Sequence, residues 1–540
     1  MSRSTGGTNS QSANDEGKIE FRTESILVQV PVIVLDKQGK HVRGLTKEDF
    51  KVLENGKEQT VSTFEELVST RGALPAVALK PGQYGNLTLS DQQPRAVTVV
   101  VLDTVNTPFL DQTYGRRELV KYLANSMESG QVMALMIITS HGVKIIQGLT
   151  GDSAQLIQTL KKVSGEMPSM QSVDVDAQAD AATGDIPDMP TPGGDPDAAM
   201  QTFIERGDAI YAQFQQQNAI ETTMQAFLGI AWTLSGVPGR KSLIWATGGF
   251  PFTIYSPDIV PNGNLAGLYE RAMQALNQAQ ISVYPVDVRG LVNTSPIGDA
   301  SKAGVPTNRQ ILNRSWLQQS TIDSLNEFAD MTGGKAFYNT NDLATSFKRA
   351  ADDASSYYML GYYLDSRNNK AGWRQLKVKI DKKDVDVRAR KGFLVTNATI
   401  HAELSKNSDM SYALTSPIEA TGVPVVVQWG GSESAGDKKK VTFMAHMPAN
   451  ALAFDPSGQD KLDFDFAAIA FHEKDSKIAG RSGIAFAKQV PAEQVATIRA
   501  NGVAFRNAIE LAPGNYMVRF VVRDNVTGKI GSVTAPLTVN

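Results

Sequence analysis

Apolar positions along the chain keep two different rhythms. In 19–66, and again after 355, they alternate with polar neighbours, as in strands that bury one face. In 96–355 they come as short unbroken runs separated by helical stretches, as in a buried parallel sheet. Ile26, Val28, Val30 and Val32 open the first pattern, and Asp36-Lys37-Gln38-Gly39 turns it. Phe50 to Leu53 then runs into Glu54-Asn55-Gly56, a strong hairpin signal. Residues 67–95 hold Pro75, Pro81, Gly82, Gly85 and Pro94 and read as an irregular connection.

The second rhythm begins at Ala96 to Leu102, a buried strand that stops at Asp103. It predicts a helix over 111–128, a strand over 132–138, a turn at His141-Gly142 and a short antiparallel strand over 143–146. Asp152 starts a helix with Leu156, Leu160 and Val163 on one face. The stretch 166–197 carries eight acidic residues, no basic ones and five prolines, which predicts a disordered acidic insertion. Order returns with a helix over 200–235, strands at 242–246 and 281–287, and a helix over 264–279 between them. A helix stopped by Thr332-Gly333-Gly334, a last strand at 335–338 and a helix over 341–354 complete the region.

This alternation predicts a doubly wound α/β sheet over 96–355 with one antiparallel edge. Residues 356–397 read as a β hairpin unit pairing with 19–66, 400–540 as a separate C-terminal β-sandwich, and 1–18 as a disordered tail. The basic group Lys382, Lys383, Arg388, Arg390 and Lys391 reads as a solvated strand edge.

Composition removes several kinds of chemistry. Across 540 residues, 53 Lys and Arg against 56 Asp and Glu leave a net charge of −3, with no basic arm for nucleic acid. The absence of cysteine excludes zinc ribbons, thiol catalysis and disulfides, and the five histidines form no ligand motif. No GxGxxG follows the first strand, and neither GxxxxGK[ST] nor GxSxG occurs, so nucleotide-binding loops and a hydrolase elbow are unsupported. No run reaches the roughly 18 apolar residues of a spanning helix. The polar start and the cysteine-free chain suggest an extracytoplasmic protein, periplasmic or secreted, with its leader absent from this sequence, or alternatively a cytoplasmic one.

In a sheet of this kind ligands bind beyond the carboxyl ends of the strands, so Asp103 to Thr107, Thr247 to Phe250 and Asp287 to Gly290 are the segments to test. Here the chain resembles the von Willebrand factor A domain, in the form found in the bacterial group of such proteins abundant in Acidobacteria. The resemblance rests on Val42 to Phe50, Gly239 to Ile244, Val286 to Gly290, Thr332-Gly333-Gly334, Tyr357 to Tyr362 and Arg388 to Phe393, and so spans about 20–395. It implies a Rossmann-like sheet inserted in a discontinuous β-sandwich made of 19–66 and 356–397.

The resemblance also implies a metal-ion-dependent adhesion site after the first strand. Asp103 matches its first aspartate, Thr107 its second hydroxyl, and Thr222 or Thr223 its distal threonine. Val105 stands where the first hydroxyl belongs, and Gly248 stands where the last aspartate belongs. A site built on Asp103, Thr107 and Thr223 is therefore degenerate: no cofactor is expected, and Mg²⁺ or another divalent ion is the candidate if one binds. Asn106 and Asp111 could join such an ion, and with Thr247 and Asp287 they are the candidate ligand contacts; otherwise Asp103 caps its own loop. The expected function is non-enzymatic protein binding, in adhesion or as a scaffold, through the strand-end face. Alternatives are a structural or assembly subunit of an extracytoplasmic complex and a metal-assisted hydrolase. Partners are expected to be proteins or further copies of the chain, with no nucleic acid and no integral membrane segment.

Overall fold

The computed structural model describes residues 27–68, 79–86, 96–165, 175–183, 188–189, 195–249, 263–291, 308–353, 355–364, 372–395, 398–455 and 460–540. The chain is a mixed α/β protein with several sheets, mostly antiparallel and one mixed. Four strands come first: β1 (Leu27–Leu35), β2 (Phe50–Glu54), β3 (Lys57–Gln59) and β4 (Thr63–Val68), followed by the short β5 (Gln83–Gly85).

The α/β region contains β6 (Val97–Asp103), α1 (Phe109–Asn125), β7 (Val132–Thr139), β8 (Gly142–Thr150), α2 (Ser153–Lys162) and α3 (Val175–Thr183). It continues with α4 (Pro196–Leu234), β9 (Lys241–Thr247), α5 (Gly263–Gln278), β10 (Ile281–Asp287), α6 (Asn308–Thr332) and α7 (Leu343–Asp352). Its sheet runs β10-β9-β6-β7-β8, parallel except for β8. Because β6, β9 and β10 are buried along their whole length, they have no polar face and read as unbroken apolar runs. Val97, Val99, Val101 and Trp245 pack under α4, α5 and α6, while Val100, Leu102, Ile244 and Tyr284 pack under α1, α2 and α7. The chain leaves β6 toward β7 on one side and reaches β9 on the other, so the strand order reverses at the carboxyl ends of β6 and β9.

Two expectations change here. The segment 335–338 is no full strand; Phe337 makes a single parallel bridge to Val286. Part of the acidic tract is helical: Ala177, Ala179 and Ala181 of α3 are buried where it packs on α4 and α6, and Asp180 accepts from Asn313 Nδ2 of α6 at 2.8 Å. The tail 1–18 and the rest of that tract up to 174 lie outside the described residues.

After α7 come β11 (Ser356–Tyr363), β12 (Gly372–Ile380), β13 (Asp386–Arg388) and β14 (Gly392–Val395). These pair with the first four strands in two sheets, β13-β1-β11-β4 and β14-β12-β2-β3. Val30, Val32, Tyr358 and Leu360 of one sheet meet Phe50, Val52, Leu376 and Phe393 of the other in a common core. Arg388 and Arg390 are not a solvated edge: Arg388 is paired with Asp353 and Asp386, and Arg390 donates to Gln29 O at 2.7 Å.

The rest comprises α8 (Ala398–Thr415), β15 (Val426–Ala435), β16 (Lys438–Met447), β17 (Lys461–His472), β18 (Ile478–Gln489), α9 (Ala492–Asn501), β19 (Val503–Leu511), β20 (Gly514–Asp524) and β21 (Ile530–Val539). Two sheets, β19-β16-β15-β5 and β18-β17-β20-β21, share an aromatic core around Phe443, Phe466 and Phe520. The connection at 67–95 is thus not irregular throughout, since β5 adds to β15. Asn86 locks that edge: its Nδ2 donates to Ala420 O at 2.6 Å and Val423 O at 2.9 Å, and its Oδ1 accepts from Val425 N at 2.8 Å. Asn86→Ala removes the side-chain partner of Val423 O and Val425 N and one of the two donors to Ala420 O, which keeps Ser532 N, and urea unfolding is expected to show a loss of about 2–3 kcal/mol.

Lys241 opens β9 fully buried, with Nζ donating to Val237 O at 2.6 Å, and burial pushes its pKa down to about 7. Between about 7 and the ordinary value of 10.5 the unfolded chain holds a proton that the folded one has released. The contribution of Lys241 to stability therefore rises with pH across that window. Lys241→Met is expected to flatten this slope in denaturation curves taken from neutral to alkaline pH.

Candidate functional site

The carboxyl ends of β6 and β9 bring five of the candidate residues into one cluster. Asp103 is the last residue of β6 and is buried. Its Oδ1 accepts from the backbone N–H groups of Val105 and Asn106, both at 3.0 Å. Its Oδ2 accepts from Asn106 Nδ2 at 2.8 Å, Trp245 Nε1 at 2.9 Å and Thr247 Oγ1 at 2.9 Å. Asn106 Nδ2 also reaches Thr223 Oγ1 at 2.8 Å, and that hydroxyl donates to Ala219 O within α4. Thr107 Oγ1 accepts from Gly248 N at 2.9 Å. The short loop after β6 is thereby tied to β9 and α4.

Burial raises the carboxyl pKa of Asp103, and hydrogen bonds from Asn106, Thr247 and Trp245 oppose that rise. All five of these donors are neutral, and together they occupy the lone pairs that a cation would need. A divalent ion would have to displace several of them and bring its own charge balance. Among the described residues no group of three or more His, Asp or Glu could hold a metal. The donor set fits a loop-capping carboxylate and does not fit a hard divalent ion, which wants several oxygen ligands. A pocket of about 20 Å³ beside Asp103, Thr104 and Thr107 has room for roughly one water.

Gly248 explains more than the loss of a carboxylate. A Cβ there would lie 2.6 Å from Asn106 O and 3.2 Å from Pro108 Cδ, because β9 passes close under the β6 loop. Gly248→Asp is accordingly expected to destabilise the chain by about 1–3 kcal/mol and to create no Mg²⁺ affinity in calorimetry.

The other two candidates form a second cluster. Asp287 ends β10 and is buried, holding Arg289 through Nε at 2.9 Å and Nη2 at 2.8 Å. Asp111, half-buried, has its pKa raised by burial, countered by Arg289 and reinforced by Asp287. Neither Thr247 nor Asp287 reaches the rim: Thr247 Oγ1 donates to Asp103 and accepts from Gly249 N.

No protein-family model matches this chain. No curated protein matches it either. Among solved structures it is similar to an uncharacterized membrane spanning protein from Vibrio fischeri, at 16% identity over 47% of this chain and 94% of that one. The TM-score of 0.12 leaves that likeness without weight for the fold.

Sequence reasoning missed Trp245, Gln112 and Asn341. Trp245 lies two residues before Thr247 on the same side of β9, a spacing from which its reach to Asp103 was readable. Gln112 Nε2 donates to Thr107 O at 2.8 Å, one helical turn into α1. Asn341 ties α1 to the chain after β10: its Oδ1 accepts from Leu291 N at 3.0 Å and its O accepts from Tyr114 Oη at 2.9 Å. Leu110, in the first turn of α1, is 76% exposed, and Leu291, after β10, is 64% exposed.

Proposed function

We propose that the chain is a non-enzymatic protein-binding component, acting in adhesion or as a scaffold, built on a von Willebrand factor A-like domain inserted in a discontinuous β-sandwich. It recognises its partner through the strand-end face without a metal ion. The observation that carries this reading is the rim itself: exposed Leu110, in the first turn of α1, and exposed Leu291, after β10, flank the Asp111, Asp287 and Arg289 group, and Asn341 holds α1 through Tyr114 and the chain after β10 through Leu291 N. Apolar anchors on held backbone with a charged surround are what a protein partner can bury. The Asp103 cluster supports it from beneath by fixing the β6 loop. Among the described residues no helix is long and apolar enough to cross a membrane, and the cysteine-free composition favours an extracytoplasmic location.

The test is affinity capture by the intact chain, in Mg²⁺ and in chelator, compared with the chain carrying Leu110→Asp and Leu291→Asp. The same partner is expected in both buffers and is expected to be lost with the double variant. Capture that disappears in chelator, or survives the double variant, overturns the reading.

A further inference from the structure

Helix α4 is amphipathic in the wrong sense for a surface helix. In its first half it buries small residues, Ala209 and Ala212, with Ala212 against Ala177 and Ala181 of α3. It exposes large ones: Met200, Phe203, Ile204, Ile210, Tyr211 and Phe214 are each between 46% and 62% exposed. At about 100° per residue these six fall on one stripe about 120° wide, with Gly207 at its centre. A stripe of this size on a folded chain marks a contact surface.

The stripe reads alike from both ends. Met200 and Phe214, Phe203 and Tyr211, and Ile204 and Ile210 are placed symmetrically about Gly207. An antiparallel helix pair with its two-fold axis at Gly207 brings Met200 against Phe214 of the second copy. It also brings Phe203 against Ile210 and Ile204 against Tyr211, so every apolar side chain meets another. Such a two-fold contact uses the same patch on both subunits and must be self-complementary. Gly207 has no heavy atom within 4 Å of where a Cβ would stand, so nothing inside the chain requires a glycine there. Glycine is unfavourable within a helix, and here it removes the side chain at the point where two backbones would come closest. Anionic lipid is the weaker occupant, because two carboxylates, Asp197 and Asp208, flank the stripe against one arginine, Arg206.

We infer that the first half of α4 is a homodimer interface in which two copies of this chain pair antiparallel about Gly207. The native chain has no cysteine, so single introduced thiols report the geometry cleanly. Under mild oxidation Gly207→Cys is expected to give a disulfide-linked dimer, whereas Glu205→Cys, on the far side of the helix, is expected to give monomer. Light scattering across a concentration series is expected to show the unmodified chain passing from monomer to dimer. Phe203→Glu with Phe214→Glu is expected to abolish both the dimer and the Gly207→Cys crosslink while leaving the circular dichroism spectrum of the folded chain unchanged. The inference is overturned by a chain monomeric at every concentration, by equal crosslinking at 205 and 207, or by a dimer that survives the double variant. It is equally overturned if monomeric chain binds phosphatidylserine vesicles through the same two phenylalanines.

Discussion

Asp103→Ala is expected to lower stability by about 3–5 kcal/mol, and Mg²⁺ is expected neither to add to the native value nor to alter the loss. The variant leaves the Val105 and Asn106 amides, the Asn106 side chain, the Trp245 indole N–H and the Thr247 hydroxyl without the acceptor they share. Each buried orphan costs about 1–3 kcal/mol before relaxation, and the loop after β6 can relax while Trp245, in the sheet core, cannot. Asp103→Asn keeps the shape but turns an amide donor toward donors, so a smaller loss of about 1–3 kcal/mol is expected. The pH dependence has a definite sign. Because the native carboxyl titrates above its ordinary value of 3.8, the folded chain holds a proton that the unfolded chain has already released. Its contribution to stability is therefore largest in acid and falls as pH rises through that window, a slope that Asp103→Asn removes. Urea denaturation at several pH values, with and without Mg²⁺, measures all of this. A melting temperature that climbs with Mg²⁺ in the native chain but not in Asp103→Ala would show an ion displacing those donors.

What was legible in the sequence follows from how far each signal reaches along the chain. The buried strands β6, β9 and β10 announce themselves because no residue within them needs to be polar, and Asp103 stands out as the first charge after such a run. Asn106 was singled out from the same loop as a contact for an ion or ligand, and its amide is instead spent on Asp103 and Thr223. Elements whose meaning is non-local were not visible. The three residues of β5 carry no period of their own and become a strand only by pairing with β15, more than 300 residues later. Helix α3 hides in an acidic tract because its apolar contacts are made by alanines, and alanine is a faint apolar signal. The helix at 398–415 was read as part of a β unit; it lies beside β20, with Asp409 paired to Arg271 and Arg523. The burial of Arg388 and Arg390 follows from carbonyls and carboxylates brought in by other elements, which no local pattern of basic residues records.

Arg240→Met is expected to cost about 3–5 kcal/mol and to uncouple the α/β region from the sheets built on β1 and β11. Arg240 is fully buried at the amino end of β9 and donates to Asp353 O at 2.8 Å, Gly333 O at 2.8 Å and Tyr284 Oη at 3.0 Å. Its own backbone N–H donates to Tyr357 Oη of β11 at 3.2 Å. Asp353, its pKa raised by burial and held down by Arg388 and Arg240, pairs with Arg388 of β13. Methionine fills much of the volume but takes the donor away from two carbonyls and from the Tyr284 phenol, which keeps Asp353, and leaves the buried Asp353 with one cation where it had two. Native-state hydrogen exchange is the measurement that separates the outcomes. Amides of β1, β11 and β13 are expected to lose protection before those of β6 and β9, whereas in the native chain the two groups are expected to open together. A loss below about 1 kcal/mol, or uniform loss across both groups, would mean that the contact carries no coupling. The same seven-residue strand carries Arg240's anchor at one end and Thr247, beside Asp103, at the other. Loosening the anchor therefore tests whether the strand-end face depends on the flanking sheets, and partner capture by Arg240→Met should weaken in step with the lost protection.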